Sequence, residues 1–451
     1  MHGSHKSVIL TRQKPLSFSC FFLKGSILCT LWVILMHSMN RNAKRWVINQ
    51  MELALSAIPS VVVTGSRQTG KTTLVLELLK DKNRRYFSFD DLDILELAKS
   101  DPETLVSQHP LTLDEVQRVP QILIAVKRAI DKNRQNGAFI LTGSANLSLM
   151  STVSESLAGR ALYLELLPFC PCEWRGTHPY LKPINNLFNS SFDPVKDWPS
   201  ESGDWKKWVL QGGMPPALLQ KNTESRYLWF SGYVQTYLER DLRQLSDVSS
   251  LPDFQRIMRL AANRVGRLLN QSEVARDAAI QQSTCHRYLN LLETGYQISR
   301  LSPYHTNPTT SLIKGKKLMF NDSGIAAWLA GIESKEALQK RLDVGFWLEQ
   351  AVYQSLQTWR TLDPANRHLF FWRDRRGNEV DFVLENKGEL VAIEIKLNKK
   401  VSLSDLKGIK AFRKALPSTQ KVKGVVLHTG TTALMIGDNC YSLPLGWLFP
   451  N

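Results

Sequence analysis

The sequence predicts an α/β fold whose first part is a parallel β-sheet covered by helices, and three observations support it. The first is a series of short apolar segments typical of strands, at 61–64, 85–89, 111–114, 138–142 and 161–166. The second is helical spacing of apolar residues in the segments between them, at 71–81, 92–99, 119–134 and 146–157. The third is a glycine-containing motif at 65–72, between the first strand and the first helix. Such alternation is typical of parallel sheets, because each parallel connection needs a crossover.

The motif between the first strand and the first helix is the most specific feature of the chain. Residues 65–72 read Gly-Ser-Arg-Gln-Thr-Gly-Lys-Thr, which is the pattern G-x-x-x-x-G-K-T. The glycines let the backbone wrap a polyphosphate with its N–H groups pointing inward. In such a loop Lys71 reaches the β- and γ-phosphates, and the hydroxyl of Thr72 is a ligand of Mg²⁺. The predicted nucleotide-binding residues are Gly65, Ser66, Arg67, Gln68, Thr69, Gly70, Lys71, Thr72 and Thr73.

Polar residues at the ends of two later strands predict hydrolysis in addition to binding. The third strand ends in Asp114 and Glu115. Asp114 can hold the Mg²⁺ shell, and Glu115 can polarise the attacking water. The fourth strand ends in Thr142, Ser144 and Asn146, which would hydrogen-bond the phosphate or the water, or form an ordinary turn.

Arg160 is a further candidate, just before the fifth strand. An arginine there can stabilise transition-state charge in a neighbouring subunit, which would require self-association. The alternative is a structural or solvated arginine.

Together these residues resemble the prokaryotic AAA-type ATP-binding family whose C-terminal half is the domain of unknown function 4143. The resemblance covers roughly residues 44–449, and its motifs are Gly-Ser-Arg-Gln-Thr-Gly-Lys-Thr-Thr-Leu at 65–74, Leu-Asp-Glu-Val-Gln at 113–117, Leu-Thr-Gly-Ser at 141–144, Ser-Leu-Ala-Gly-Arg at 156–160, Leu-Pro-Phe at 167–169, Gly-Gly-Met-Pro-Pro at 212–216, Tyr-Leu-Glu-Arg-Asp-Leu at 237–242 and Gly-Asn-Glu-Val-Asp-Phe at 377–382. It implies an ATPase core, a winged-helix segment and a nuclease-like C-terminal fold. The cofactors expected are ATP and Mg²⁺.

Acidic residues near the C-terminus form a second candidate site. Asp381 and the pair Glu394 and Lys396 follow the pattern D-x₁₂-E-x-K, which resembles the restriction-endonuclease-like superfamily. Residues 394 and 396 lie on one face of a strand, and carboxylates can hold Mg²⁺. Glu349, on a predicted helix, would complete this second metal site. The alternatives are an inactive nuclease-like fold and a surface cluster of salt bridges.

The segment before that region predicts a DNA-binding or protein-binding module. Residues 254–302 have the pattern of three short helices, and 296–320 that of a winged-helix hairpin closing with Lys314-Gly-Lys-Lys317. The third helix, 283–293, would expose polar residues able to touch phosphates or base edges. These residues are Ser283, His286, Arg287 and Asn290.

The charge distribution points to the same part of the chain. The net charge is +16, of which residues 251–451 carry +10 and residues 51–250 carry −1. A basic C-terminal half favours a polyanionic partner such as DNA, with solubility as the alternative.

The expected organisation has five parts: an N-terminal extension (1–43), an AAA-like P-loop ATPase domain (44–175), a linker and helical segment (176–253), a winged-helix-like domain (254–338) and a nuclease-like domain (339–451). The apolar segment 16–36 is interrupted by Lys24. The alternatives for the extension are a membrane-associated segment, a disordered or packed extension, and translation upstream of a true start at Met39. Six cysteines in 451 residues do not form a disulfide scaffold, which favours a reducing cytoplasm.

The expected function is therefore ATP hydrolysis coupled to a C-terminal module. The alternatives are a metal-dependent nuclease regulated by ATP and a nucleotide-dependent switch that hardly turns over.

Overall fold

The N-terminal part of the molecule is a five-stranded parallel sheet, as predicted. A computed structural model describes residues 43–79, 84–144, 157–236, 250–306 and 315–450. The sheet has the strand order β2-β3-β4-β1-β5, so one strand separates the strand before the glycine-containing loop from the strand that ends in Asp114. Its strands are β1 (Ser60–Thr64), β2 (Arg85–Ser88), β3 (Leu111–Asp114), β4 (Phe139–Gly143) and β5 (Ala161–Glu165).

Both faces of this sheet are covered, which explains why its strands are almost continuously apolar. Val61 and Val63 lie in one hydrophobic cluster, whereas Val62 lies in another with Leu113 and Leu141. The helices of this part are α1 (Val47–Ala57), α2 (Lys71–Leu79), α3 (Leu92–Ser100), α4 (Pro102–Val106) and α5 (Ile122–Lys132). The helix predicted at 146–157 lies almost wholly outside the described residues.

The first part of the segment predicted as a linker and helical segment (176–253) is packed structure rather than a linker. Trp198 donates its indole N–H to the carbonyl of Pro444 at 2.7 Å, and its ring meets that of Trp447 edge-on. This segment was misread because its apolar residues have no regular period, yet they pack one by one. The helices after β5 are α6 (Pro171–Arg175), α7 (Lys182–Asn186), α8 (Trp205–Gln211), α9 (Pro215–Leu218) and α10 (Thr223–Thr236), with a 3₁₀ turn at Pro179–Leu181.

The three predicted helices follow as α11 (Leu251–Ala262), α12 (Gln271–Asp277) and α13 (Gln282–Thr294). Asn270 caps α12 by accepting a hydrogen bond from the backbone N–H of Glu273 at 3.2 Å. Strand β6 (Ile298–Leu301) then pairs antiparallel with β7 (Lys317–Phe320). Residues 307–314, including Lys314, lie outside the described part of the chain.

The C-terminal part is a mixed six-stranded sheet in the order β12-β13-β11-β10-β9-β8. Helix α16 (Val344–Thr361) is largely buried and shares the hydrophobic cluster of this sheet. The strands are β8 (Arg367–Arg373), β9 (Glu379–Asn386), β10 (Glu389–Lys396), β11 (Val422–His428), β12 (Leu434–Gly437) and β13 (Cys440–Pro444). The other helices are α14 (Ser323–Leu329), α15 (Lys335–Gln339) and α17 (Lys407–Lys414), with 3₁₀ turns at Leu403–Leu406 and Gly446–Leu448.

The N-terminal apolar segment 16–36 lies outside the described residues. Within the described ranges, no helix has the length and apolar character needed to cross a bilayer.

Candidate functional site

The glycine-containing loop leaves β1 at Gly65 and ends at Lys71, the first residue of α2. Gly65 has φ +145°, and a Cβ there would lie 2.3 Å from the carbonyl oxygen of Leu166. Only glycine meets both conditions. The loop therefore delivers its backbone to the N-terminus of α2, where N–H groups and the helix dipole favour an anion.

Lys71 is buried and lies within the loop. Its Nζ donates to the carbonyl oxygens of Gly65 at 2.9 Å and Ser66 at 2.8 Å. This places the ammonium group where it can neutralise a polyphosphate held by the loop. Arg67 and Gln68 lie in the same loop, and Thr73 lies in the first turn of α2.

Asp114 lies at the centre of a group of hydroxyls. The hydroxyls of Thr72 and Tyr86 donate to its Oδ2 at 2.8 and 2.7 Å, and that of Thr142 hydrogen-bonds its Oδ1. The carboxylate is buried, and its partners come from α2, β2 and β4. A threonine hydroxyl beside a fixed carboxylate is a donor set that suits Mg²⁺, which prefers hard oxygen ligands.

Glu115 follows Asp114 in a left-handed backbone conformation, with φ +60°. Its N–H donates to the Thr142 hydroxyl at 3.3 Å, and Gln117 donates its side-chain amide both to the Glu115 carboxylate and, at 3.0 Å, to the Ser144 hydroxyl. Burial raises the pKa of the Glu115 carboxyl, against the lowering effect of nearby Lys71. The predicted residues Glu115, Thr142 and Ser144 therefore lie together, whereas Asn146 lies outside the described residues.

Three residues of this site were missed by sequence reasoning. Tyr86 could have been found, because the parallel register places β2 next to the strand that ends in Asp114. For Gln117, the only signal in the sequence was its spacing of two residues from Glu115. For Arg45 the sequence contained no signal, because its partners are distant in the chain.

Arg45 supports the loop from behind. Its guanidinium donates to the carbonyl oxygens of Thr69 and, at 2.9 Å, Leu167. It lies 3.5 Å from the centre of the Phe169 ring and 3.4 Å from the carboxylate of Glu173, with both charged groups buried. A buried charge needs such partners, so this arrangement fixes the far side of the loop.

Ser66 links the loop to the three-helix segment. Its hydroxyl donates to the carbonyl oxygen of Tyr296 at 2.8 Å, and the side chain of Asn321 donates to the same oxygen at 3.0 Å. Tyr296 lies two residues after the last residue of α13 and has φ +57°. The nucleotide loop is therefore in direct contact with the segment predicted to bind DNA or protein.

The structure does not bring Arg160 to the loop of its own chain. Arg160 forms a two-point ion pair with Asp131, at 2.6 and 3.0 Å. The register pairs Ala161 with Ser60, at the start of β1, whereas the loop follows Thr64 at its end. A role in a neighbouring subunit stays a prediction.

The predicted second metal site contains the side chain of Lys317 in addition to the residues predicted from the sequence. Glu394 accepts from Lys396 at 3.0 Å, and Asp381 accepts from the backbone N–H of Ile395 at 2.7 Å. The Nζ of Lys317, from β7, lies 3.4 Å from Glu349, 4.0 Å from Asp381 and in contact with Glu379. Among the described residues, no group of three or more His, Cys, Asp or Glu side chains is placed to hold a metal ion.

Lys317, predicted to close the winged-helix hairpin, is buried at this site and 2% exposed. The residues predicted to surround a metal ion lie in one network with Lys317. These residues are Glu349, Asp381, Glu394 and Lys396. Burial, together with the Asp381 carboxylate, raises the pKa of both Glu349 and Glu394.

The predicted recognition helix presents several of its polar side chains to solvent. Ser283, His286 and Arg287 are exposed, and Asn290 is half-buried. His286 hydrogen-bonds Gln271 at 3.0 Å and Asn290 at 2.9 Å, so these side chains are ordered by their neighbours.

Comparisons with known proteins agree with this architecture. Family models match at residues 58–174 (AAA domain), 202–336 (domain of unknown function 8612) and 344–448 (domain of unknown function 4143). The uncharacterized protein Rv2008c of Mycobacterium tuberculosis is 28% identical over 398 residues, which are 88% of this chain and 82% of that protein. The uncharacterized protein MJ1544 of Methanocaldococcus jannaschii is 22% identical over 83% of each chain.

Similar solved structures are more distant. The Walker-type ATPase PABY2304 of Pyrococcus abyssi is 15% identical with a TM-score of 0.40, covering 62% of this chain and 94% of that one. AMPPCP-bound DnaA of Aquifex aeolicus is 16% identical with a TM-score of 0.27, covering 55% and 86%. The family of this chain is therefore indicated by two family models. The AAA model covers the glycine-containing loop, and the model of the domain of unknown function 4143 covers the C-terminal motif. The chain belongs to the AAA-type proteins that carry the domain of unknown function 4143 in their C-terminal part.

Proposed function

We propose that this chain binds ATP with Mg²⁺ at the loop 65–72 and hydrolyses it. The observation that carries the proposal is the position of Asp114, whose carboxylate accepts the hydroxyl of Thr72 at 2.8 Å. Thr72 and Asp114 together present the hard oxygen atoms that suit Mg²⁺. The ion, when bound, would neutralise charge on the phosphate oxygens.

The residues of the chain have distinct roles in this proposal. The backbone N–H groups at the start of α2 and the ammonium of Lys71 hold the β- and γ-phosphates. Glu115 orients the attacking water and accepts its proton, while Gln117 fixes the direction of the Glu115 carboxylate. The hydroxyl of Ser144 holds the Gln117 side chain, and the hydroxyl of Thr142 holds the backbone N–H of Glu115. Arg45 keeps the carbonyl of Thr69 turned away from the phosphates.

Replacement of the proposed base tests this function. Glu115→Gln should retain ATP affinity and lose turnover by roughly 10²–10⁴-fold, which is the usual contribution of a general base. Glu103→Gln is the matched control, because Glu103 is an exposed acid of the same domain that pairs with Arg128. Undiminished turnover in Glu115→Gln would show that Glu115 is not the base. A wild-type rate already as low as that of Glu115→Gln would favour the nucleotide-dependent switch.

We further propose that nucleotide occupancy is coupled to a winged-helix-like module formed by α11–α13 with β6 and β7. The contact between Ser66 and the Tyr296 carbonyl supports this, because it joins the loop to the short connection between α13 and β6. The net charge of +10 over residues 251–451 favours DNA as the partner of the module.

DNA as a partner can be tested by the salt dependence of binding. Log affinity should fall linearly with log salt concentration, and Arg287→Gln should reduce the slope by about one. ATP turnover should change when DNA is added. A protein partner is favoured instead if no salt-dependent DNA binding is found.

The C-terminal sheet, although nuclease-like in its motif, is proposed as a binding module rather than a nuclease. The position of Lys317 among its acids supports this choice.

A further inference from the structure

We infer that Lys317 is the resident cation of the carboxylate site in the C-terminal sheet, in the place where the nuclease-like motif implies a divalent metal. The side-chain ammonium enters from β7, which precedes the C-terminal sheet in the chain. The site is therefore complete without a metal ion. This inference concerns the second site and is independent of the proposed ATP hydrolysis.

The geometry around the ammonium group is that of a bound cation. Its Nζ contacts Glu379 and lies 3.4 Å from Glu349 and 4.0 Å from Asp381. It also lies 5.4 Å from the centre of the Phe371 ring, which adds a cation–π contact. An ammonium group has three N–H donors, and three carboxylates from α16 and β9 surround it here.

The carboxylates of this network already have partners. Glu394 accepts from Lys396 at 3.0 Å, and Glu379 lies 3.8 Å from Arg373 in addition to Lys317. Asp381 uses its other oxygen to accept the N–H of Ile395. A Mg²⁺ ion requires about six oxygen ligands in octahedral geometry. At this site it would have to share the carboxylates with a buried ammonium group a few ångströms away, which would repel it. The residues present therefore do not fit a divalent metal while Lys317 is in place.

The backbone that carries Lys317 is fixed, because β7 is also bonded to α16 at its other end. The N–H of Phe320 donates to the side chain of Gln350 at 2.9 Å, and the Phe320 carbonyl accepts from the same side chain at 2.7 Å. Gln350 and Glu349 are neighbours on α16, so one helix holds both ends of the strand. The strand that carries Lys317 is therefore held next to the helix that carries Glu349.

Counting bound Mn²⁺ by the loss of its free electron-spin-resonance signal tests the inference. The full-length chain without nucleotide should bind no Mn²⁺ that depends on Asp381. Lys317→Met keeps the unbranched side chain up to the position of the ammonium group but removes its charge, so this variant should gain a Mn²⁺ ion. The gain should disappear in the double variant Lys317→Met with Asp381→Asn. Lys316→Met is the matched control, since it removes the same charge at the neighbouring position and should gain nothing.

Two results would overturn the inference. One is Mn²⁺ bound by the wild-type chain without nucleotide and lost in Asp381→Asn. The other is a folded Lys317→Met chain that gains no Mn²⁺, because the emptied carboxylates would then not be a cation site. If Lys317→Met does not fold, the comparison between wild type and Asp381→Asn decides alone: equal Mn²⁺ binding supports the inference, and a loss contradicts it.

Discussion

The nucleotide loop and the carboxylate site of the C-terminal sheet use similar residues in opposite ways. In the first, Lys71 donates to backbone carbonyls and Asp114 accepts from the hydroxyls of neighbouring elements. In the second, Lys317 lies directly among Glu349, Glu379 and Asp381. The Asp114 carboxylate, which is held by hydroxyls, can still serve a cation, whereas the carboxylates around Lys317 already have one.

The difference teaches that an acidic motif does not define a metal site by itself. Asp114 and Asp381 both lie on buried strands, and either would suit Mg²⁺ as a short sequence motif. The two aspartates differ in the groups that distant parts of the chain place beside them. Hydroxyl groups lie beside Asp114, and an ammonium group lies beside Asp381.

The largest expected effect comes from removing the buried cation of the second site. Lys317→Met should lower the free energy of unfolding by about 3–5 kcal/mol, because it leaves buried carboxylates without their partner. Lys316→Met should change it by less than about 0.5 kcal/mol, as expected for a substitution away from such a network. Guanidinium unfolding of both variants provides the measurement. Equal midpoints would show that the carboxylates are stabilised without Lys317.

The acid limb of the pH–rate profile tests the site at the nucleotide loop. As the proposed base, Glu115 would act in its deprotonated form, and burial raises its pKa. Turnover should therefore begin to fall at a pH above the ordinary range of a glutamate. Below that pKa the rate should fall about tenfold for each pH unit. The profile of Glu103→Gln should match that of wild type. An unchanged acid limb in the residual activity of Glu115→Gln would assign the titration to another group.

The smallest expected effect concerns the contact between the loop and the three-helix segment. Ser66→Ala removes one hydrogen bond to the Tyr296 carbonyl, which still accepts from Asn321, so stability should fall by roughly 0.5–1.5 kcal/mol. Any effect of DNA on ATP turnover should weaken at the same time. Ser56→Ala, which removes an exposed hydroxyl bonded to its own helix, is the control. A DNA effect that survives Ser66→Ala unchanged would remove this contact from the coupling.

Sequence reasoning succeeded where the signal was local. The strand positions, the loop at 65–72 and the acids at 114 and 115 follow from period, glycine spacing and the parallel order of strands, and the structure brings these residues together. It failed where the partner is distant. Arg45 and Lys317 are defined by contacts with residues far along the chain. Arg45 stands in no motif, and Lys317 was predicted only to close a hairpin. The aromatic residues at 198, 205 and 208 were read as part of a linker and helical segment, because their packing against the C-terminal part has no period.

The most direct test of the contrast between the two sites is the number of Mn²⁺ ions bound per chain in the presence of a non-hydrolysable ATP analogue. We predict a single Mn²⁺ ion that requires the analogue, is lost in Asp114→Asn and is retained in Asp381→Asn. A Mn²⁺ ion that is retained in Asp114→Asn and lost in Asp381→Asn would contradict the account, because it would place the metal at the site assigned to Lys317.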